Sequence, residues 1–209
     1  MTMPTDQTLS TIIKERHSVR KYDPSYKMSK EELEEILNEA ILAPSSSNLQ
    51  PWRFLVISDQ EVKKELRPIA NNQEAVETSS AVIAVLGDTE MFKNVDKIYS
   101  MNVEAGFMDE GTRDRIVQNT LNSYPLAPKT ALESIASFDA GLISMQLMLI
   151  ARSRGYDTVT MGGFNKQQFS EKFNVEERYV PIVLIAIGKS AGPSFQSSRL
   201  PLNEVAKFI

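Results

Sequence analysis

Ala43-Pro44-Ser45-Ser46-Ser47-Asn48-Leu49-Gln50-Pro51-Trp52-Arg53-Phe54 joins the end of an apolar-faced helix to an apolar strand through hydroxyls, amides and two prolines. Proline limits the backbone freedom of such a loop, while Ser and Asn supply donors and acceptors close to the main chain. Two readings fit: a preformed grip for a polar heterocycle, or a capped helix-to-strand connection with Trp52 as core filler. Before the loop, Ser29 and Glu32 form a Ser-x-x-Glu capping box, and Leu33, Ile36, Leu37, Ala40 and Ile41 share one helical face that Pro44 ends. After it, Phe54-Leu55-Val56-Ile57 reads as a strand and Asp59 as the N-cap of a helix to about Leu66.

Farther out, Leu9, Ile12 and Ile13 give a short first helix, with Arg16 to Arg20 at or just beyond its C-terminal end. Ala81 to Leu86 is a second strand ending at Gly87, and residues 88–132 read as mostly helical, broken by Pro125 and Pro128. From Ser137 to Arg154 apolar residues occupy more than one face, which predicts a helix buried on several sides, with Gly155 as its C′ residue. Thr158 to Met161 and Pro181 to Ile187 are further strands, separated by a short helix around Gln167 to Phe173. Pro193 to Ile209 carries scattered apolar side chains and reads as an arm that needs a surface to pack on.

Strands alternating with helices, without repeat or composition shift, predict one α/β or α+β domain over residues 1–209. With 42% hydrophobic and 24% charged residues the chain can bury a core, which excludes collagen-like and disordered classes. There is no Cys, and His17 is the single His, so disulfides, thiolate nucleophiles and multi-histidine or Cys-ligated metal sites are excluded. A net charge of −4 argues against a nucleic-acid partner. Met1 to Gln7 lacks the pattern of a secretory leader and no apolar run reaches a membrane-spanning length, so the expected location is the cytoplasm, away from membranes.

Several familiar signatures fail. Gly188-Lys189-Ser190 looks like the end of a phosphate-binding loop, but the glycine required five positions earlier is Val183. Neither Gly-x-Gly-x-x-Gly, Gly-x-Ser-x-Gly nor His-Glu-x-x-His occurs. What remains is Arg16-His17-Ser18-Val19-Arg20, in which two guanidinium groups flank a hydroxyl. Planar Arg donors bind two anion oxygens at once, so this is an anion site or, equally well, a solvated helix end. The glycine pair in Thr160-Met161-Gly162-Gly163-Phe164 allows either a close approach to a flat ligand or a tight turn. Arg199 follows Ser197 and Ser198 as an isolated cation.

Together these segments resemble the nitroreductase family of FMN-dependent flavoproteins. The resemblance runs from Arg-His-Ser-x-Arg through Ala-Pro-Ser-Ser-x-Asn-x-Gln-Pro-Trp and the Gly-Gly turn to Ser-Arg-Leu-Pro near the end. It implies an α+β fold with a central mixed β-sheet flanked by helices, in a homodimer whose C-terminal arms are exchanged and whose two FMN sites lie at the subunit interface. By that resemblance Arg16, Ser18 and Arg199 hold the FMN phosphate, with His17 contributing its backbone. Arg20 lies near the N1 and O2 edge, where positive charge favours the reduced anion. Pro44, Ser45, Ser46 and Asn48 reach the flavin from the neighbouring subunit, Met161, Gly162 and Gly163 line the ring near N5, and Asn72 aligns with a ring-contacting amide. Ser197 stands where some members carry a second basic residue. The segment from about Phe92 to Tyr124 matches no motif, leaving Tyr99, Phe107 and Met108 as candidate pocket walls.

The activity implied is hydride transfer from NADH or NADPH through flavin N5 to a nitroaromatic, a quinone or another electron-poor small molecule, in two half-reactions. Because the flavin carries the chemistry, a chain this poor in Cys and His needs no catalytic side chain of its own. Two other readings share the flavin, namely a non-catalytic flavin-binding or storage protein and a family member specialised for another flavin-mediated reduction. A non-flavin interaction module would account for the arm and the apolar helix without any cofactor.

Overall fold

The computed structural model describes residues 8–209, and the expectation for Met1 to Gln7 lies outside them. Thr8 caps the first helix, α1 (Leu9–Glu15), by accepting from the Thr11 N–H at 3.3 Å. The capping box forms as read: the Ser29 N–H donates to Glu32 at 2.7 Å and the Glu32 N–H to Ser29 Oγ at 3.1 Å, opening α2 (Lys30–Ala40). This helix buries Leu33 and Ile36, each of which stabilises the fold by about 1.5–3 kcal/mol. The strand β1 (Trp52–Ile57) follows, and then Asp59 accepts from the Glu61 and Val62 N–H groups to start α3 (Gln60–Ile69), three residues longer than expected.

The remaining elements are α4 (Glu74–Thr78), β2 (Ala81–Asp88), α5 (Val95–Glu104), α6 (Glu110–Ser123), α7 (Lys129–Ser153), β3 (Asp157–Met161), α8 (Lys166–Lys172), β4 (Tyr179–Gly188) and α9 (Leu202–Val205). The strand order is β1-β2-β4-β3 with every pair antiparallel. The parallel member of the expected mixed sheet is a single bridge between Ser18 and Thr158, where the chain leaving α1 runs along the outer edge of β3.

All eight residues of β2 are buried, and their alternation feeds two cores. Val82, Ala84 and Leu86 face Leu66 of α3, Val76 of α4 and Phe169 of α8, while Ile83 and Val85 face Ile36 of α2 with Ile143 and Leu147 of α7. A third cluster joins Leu49, Met91, Val95 and Tyr99 to Leu132 and Ala136 beside the sheet.

The helix α7 begins eight residues before the expected Ser137, directly after Pro128, and Gly155 at φ +74° follows its C-cap. By length and composition it could cross a membrane. Its Ala136, Ala140, Ile143, Leu147 and Ala151 are nevertheless packed against the sheet and α2. Burial on several sides is not reached within this chain, because Phe138 is 64% exposed and Met145 39%. The arm after β4 ends in Phe195, Leu200, Leu202, Val205, Phe208 and Ile209, all exposed.

Candidate functional site

Main-chain bonds position the basic segment and leave the Arg16 and Arg20 guanidinium groups without carboxylate partners among the described residues. The Val19 N–H donates to Thr158 O at 3.1 Å, the Asp23 N–H to Lys189 O at 2.9 Å, and the Ala191 N–H to Lys21 O at 3.0 Å. Val19 and Tyr22 are buried anchors, the latter donating its hydroxyl to Ala186 O at 3.1 Å. Between them the strip lies flat on the edge of β3 with Arg20 exposed.

Two clefts that share Ser194 as a wall open over this strip. One, of about 560 Å³, is lined by Lys14, Glu15, Arg16, His17, Arg152, Ser197 and Arg199. The other, of about 330 Å³, is walled by Ser18, Arg20, Gln73, Ala75, Val159 and Phe195. A cationic cleft continuing into a more apolar one suits a ligand with an anionic tail and a flat, weakly polar body.

The ion pairs separate structural cations from available ones. Arg152 is taken by Glu15 at 2.9 Å and Asp157 at 3.0 Å, and its pKa is raised chiefly by the Glu15 hydrogen bond. Arg53, Arg67, Arg113, Arg154 and Arg178 likewise have carboxylate partners. Among the described residues Arg16, Arg20, Arg115 and Arg199 have none, and all but Arg115 line the clefts. Arg199 donates to Ser197 O at 3.2 Å, Ser197 Oγ at 2.7 Å and Ser198 O at 2.8 Å, so Ser197 orients the arginine beside it. The His17 ring is tied by Nδ1 to Glu15 O at 2.5 Å.

At the rim, Asn71 and Gln73 donate their side-chain amides to Gly163 O at 2.8 and 3.2 Å, which fixes the Gly162-Gly163 turn next to the second cleft. Asn71 and Asn72 carry positive φ of 54° and 57°, which swings the exposed Asn72 out of α3. The Met161 side chain is buried in the core, leaving its main chain as the part that could face a ligand.

The loop of Pro44, Ser45, Ser46 and Asn48 lines neither cleft of its own chain. It rests on α7, where buried Asp139 accepts from the Ser46 N–H at 3.1 Å and from Ser46 Oγ at 3.0 Å. Asp139 lies about 20 Å along the helix from Arg152 at the usual rise per residue. Burial raises the Asp139 pKa, and the Ser46 hydrogen bonds oppose that shift. Tyr99 donates to Ser47 O at 3.1 Å and the Tyr124 hydroxyl meets Ser47 Oγ at 3.1 Å, which ties the 92–124 excursion to the same loop. Of the candidate walls, Tyr99 is buried and Phe107 is 79% exposed.

Reading the sequence did not find Lys14, Gln73 or Asp139. Lys14 carried the signal of a cation in a last helical turn. Asp139 carried a clearer one, an acid at a core-facing position of an apolar helix.

The sequence matches the Nitroreductase family over residues 13–189. It is 47% identical over 199 residues to "Putative NAD(P)H nitroreductase YdgI" of Bacillus subtilis (strain 168), covering 94% of this chain and 95% of that protein. It is 31% identical over 204 residues to the CLA biosynthesis enone reductase of Lactiplantibacillus plantarum, covering 96% and 94% of the two chains. Among solved structures, the FMN complex of a "putative nitroreductase" from Exiguobacterium sibiricum 255-15 superposes with a TM-score of 0.94 at 48% identity over 100% of both chains.

Proposed function

The chain belongs to the nitroreductase family, and from that premise we propose that it is an FMN-dependent NAD(P)H oxidoreductase working as a homodimer on small electron-poor acceptors. The observation that carries this reading is the gathering of Arg16, Arg20 and Arg199, free of carboxylate partners among the described residues, around a cleft pair that turns from cationic to apolar. The donor set fits FMN: guanidinium groups and the Ser18 hydroxyl for a phosphate, and Val159, Ala75 and Phe195 against a flat ring. The relative crystallised with FMN supports the same choice.

Arg16, Ser18 and Arg199 hold the phosphate, and His17 serves through its backbone while its ring stays bonded to Glu15 O. Arg20 places a positive charge at the N1 and O2 edge, and Gly162 and Gly163, held by Asn71 and Gln73, offer main chain near N5 beside Met161 and Asn72. When bound, the flavin supplies hydride exchange, taking electrons from NADH or NADPH and passing them to a nitroaromatic, a quinone or an enone. Leaving N5 uncovered, orienting the ring and stabilising charge at its far edge are the tasks left to the protein.

The homodimer reading is supported by three surfaces. Pro44, Ser45, Ser46 and Asn48 stand away from their own clefts, available to the flavin of a second subunit. Phe138 and Met145 of α7 and the apolar arm are exposed. The outer edge of β1 has no strand partner among the described residues and suits the arm of a second copy. The unit is one domain over 1–209, and the cytoplasm, where NAD(P)H is supplied and a chain without Cys loses nothing, is its place in this reading.

Steady-state oxidation of NADH and NADPH by the FMN-loaded protein, with a quinone or nitroaromatic as acceptor, tests the proposal. Parallel double-reciprocal lines are expected from alternating half-reactions. A protein that binds FMN but leaves the nucleotides unoxidised would be a flavin-storage protein instead.

A further inference from the structure

Asp139 is fully buried on α7, on a face otherwise given to Ala136, Ala140, Ile143 and Leu147. A carboxylate in such a place is costly unless it is hydrogen-bonded, and no cation pairs with it among the described residues. Among the described residues its hydrogen bonds come from one residue. The Ser46 N–H donates to both carboxylate oxygens at 3.1 Å and the Ser46 hydroxyl to Oδ1 at 3.0 Å.

A carboxylate only accepts, so the Ser46 proton is drawn inward and the oxygen lone pairs are left facing outward. Immediately after this anchor, Ser47, Asn48 and Gln50 hold φ of +48°, +50° and +49°. Side chains other than glycine keep such left-handed positions, here on either side of Leu49 at φ −82°, only where their surroundings fix them. Asp139 fixes them from the helix side and Tyr99 from the other.

We infer that Asp139 is a positioning residue of the flavin-contact loop, clamping Ser46 so that the loop offers an acceptor oxygen, and not a proton, to a hydrogen-bond donor of FMN. This rests on the proposal above that the loop meets the FMN of the second subunit, and it adds the residue that sets the loop's polarity.

Asp139→Asn is close to isosteric and separates polarity from packing. Its amide oxygen can still accept the Ser46 N–H, but its NH2 donates to Ser46 Oγ and turns the hydroxyl proton outward. FMN affinity, the visible band of the bound flavin and the thermal midpoint of the FMN-free protein are compared for wild type, Asp139→Asn, Ser46→Ala and the double variant. Asp139→Asn is expected to melt no lower than wild type, since a neutral amide is easier to bury, while FMN binds roughly three- to tenfold more weakly with a shifted band. The double variant should bind no more weakly than the worse single, because both changes act through one hydroxyl. Wild-type affinity and spectrum in Asp139→Asn, or single effects that multiply in the double, overturn the inference. If Asp139→Asn does not fold, Ser46→Ala decides, and unchanged affinity and spectrum there overturn it. A wild-type protein that takes up no FMN fails on the cofactor itself, an outcome distinct from wild-type binding with an indifferent Asp139.

Discussion

Replacing Arg16 and Arg199 together with Ala tests the anion end of the site. Each charge-assisted hydrogen bond contributes about 1.5–3 kcal/mol where it is sheltered. Arg199 is exposed and Arg16 only half-buried, which places both at the low end of that range. The expected loss is then about 3 kcal/mol for the pair, or roughly a hundredfold in Kd for FMN. Neither guanidinium pairs with a carboxylate among the described residues, so the unfolding free energy of the FMN-free protein should stay within about 0.5 kcal/mol of wild type. Riboflavin, which lacks the phosphate, is the decisive control. Fluorescence titration should find its affinity unchanged in the double variant, and an equal loss for riboflavin and FMN would refute the assignment of these arginines to a phosphate.

Three further outcomes are expected. A methyl group at Gly87 would lie 2.9 Å from Ala136 Cβ, so Gly87→Ala should cost about 1–3 kcal/mol in urea unfolding; an unshifted midpoint would contradict the packing of α7 on β2. Lys63 is fully buried, donates to Ser79 O and has its pKa lowered to about 8, first by burial and then by Lys27. Between about pH 8 and 10.5 the unfolded chain therefore binds more protons at this site, so stability should rise with pH over that window, and Lys63→Met should remove that rise when denaturation curves at pH 7.5 and 10 are compared. Deleting residues 193–209 removes the exposed arm with Arg199, and sedimentation should then find the proposed dimer lost while titration finds weaker FMN binding; a dimer that persists would show that the arm does not hold it together.

Most of the scaffold was legible because its signals are local. The Ser29 and Glu32 box, Asp59 as N-cap and Gly155 as C′ residue each act within a few positions, and the structure places all three as read. The start of α7 was not, because Lys129 to Ala136 directly follows Pro125 and Pro128, which read as breaks, and its face of Leu132 and Ala136 spans only two turns before Ser137 and packs in the third cluster. The short α4 has too few residues for a period to emerge. At the site, the motifs identified the residue types, and the structure gathers Arg16, Ser18, Arg20 and Arg199 around two adjoining clefts. The contacts that fix the rim of the clefts and, apart from them, the Ser46 loop span long chain separations, as in Gln73 on Gly163 and Asp139 under Ser46, and no spacing rule reaches that far.

The strip from Arg16 to Tyr22 stitches its main chain to β3 and to the segment after β4, while Val19 and Tyr22 plug into the core between cations that point outward. Its phase therefore matters more than its spelling. Exchanging one cation for another would adjust grip, but deleting a residue before Val19 would bring Arg20 to its buried position, and inserting one there would bring Ser18 to it and Lys21 to that of Tyr22. Length in this stretch is therefore held by two buried anchors and their main-chain bonds, so tuning by evolution or by design is easier through substitution than through a change of length.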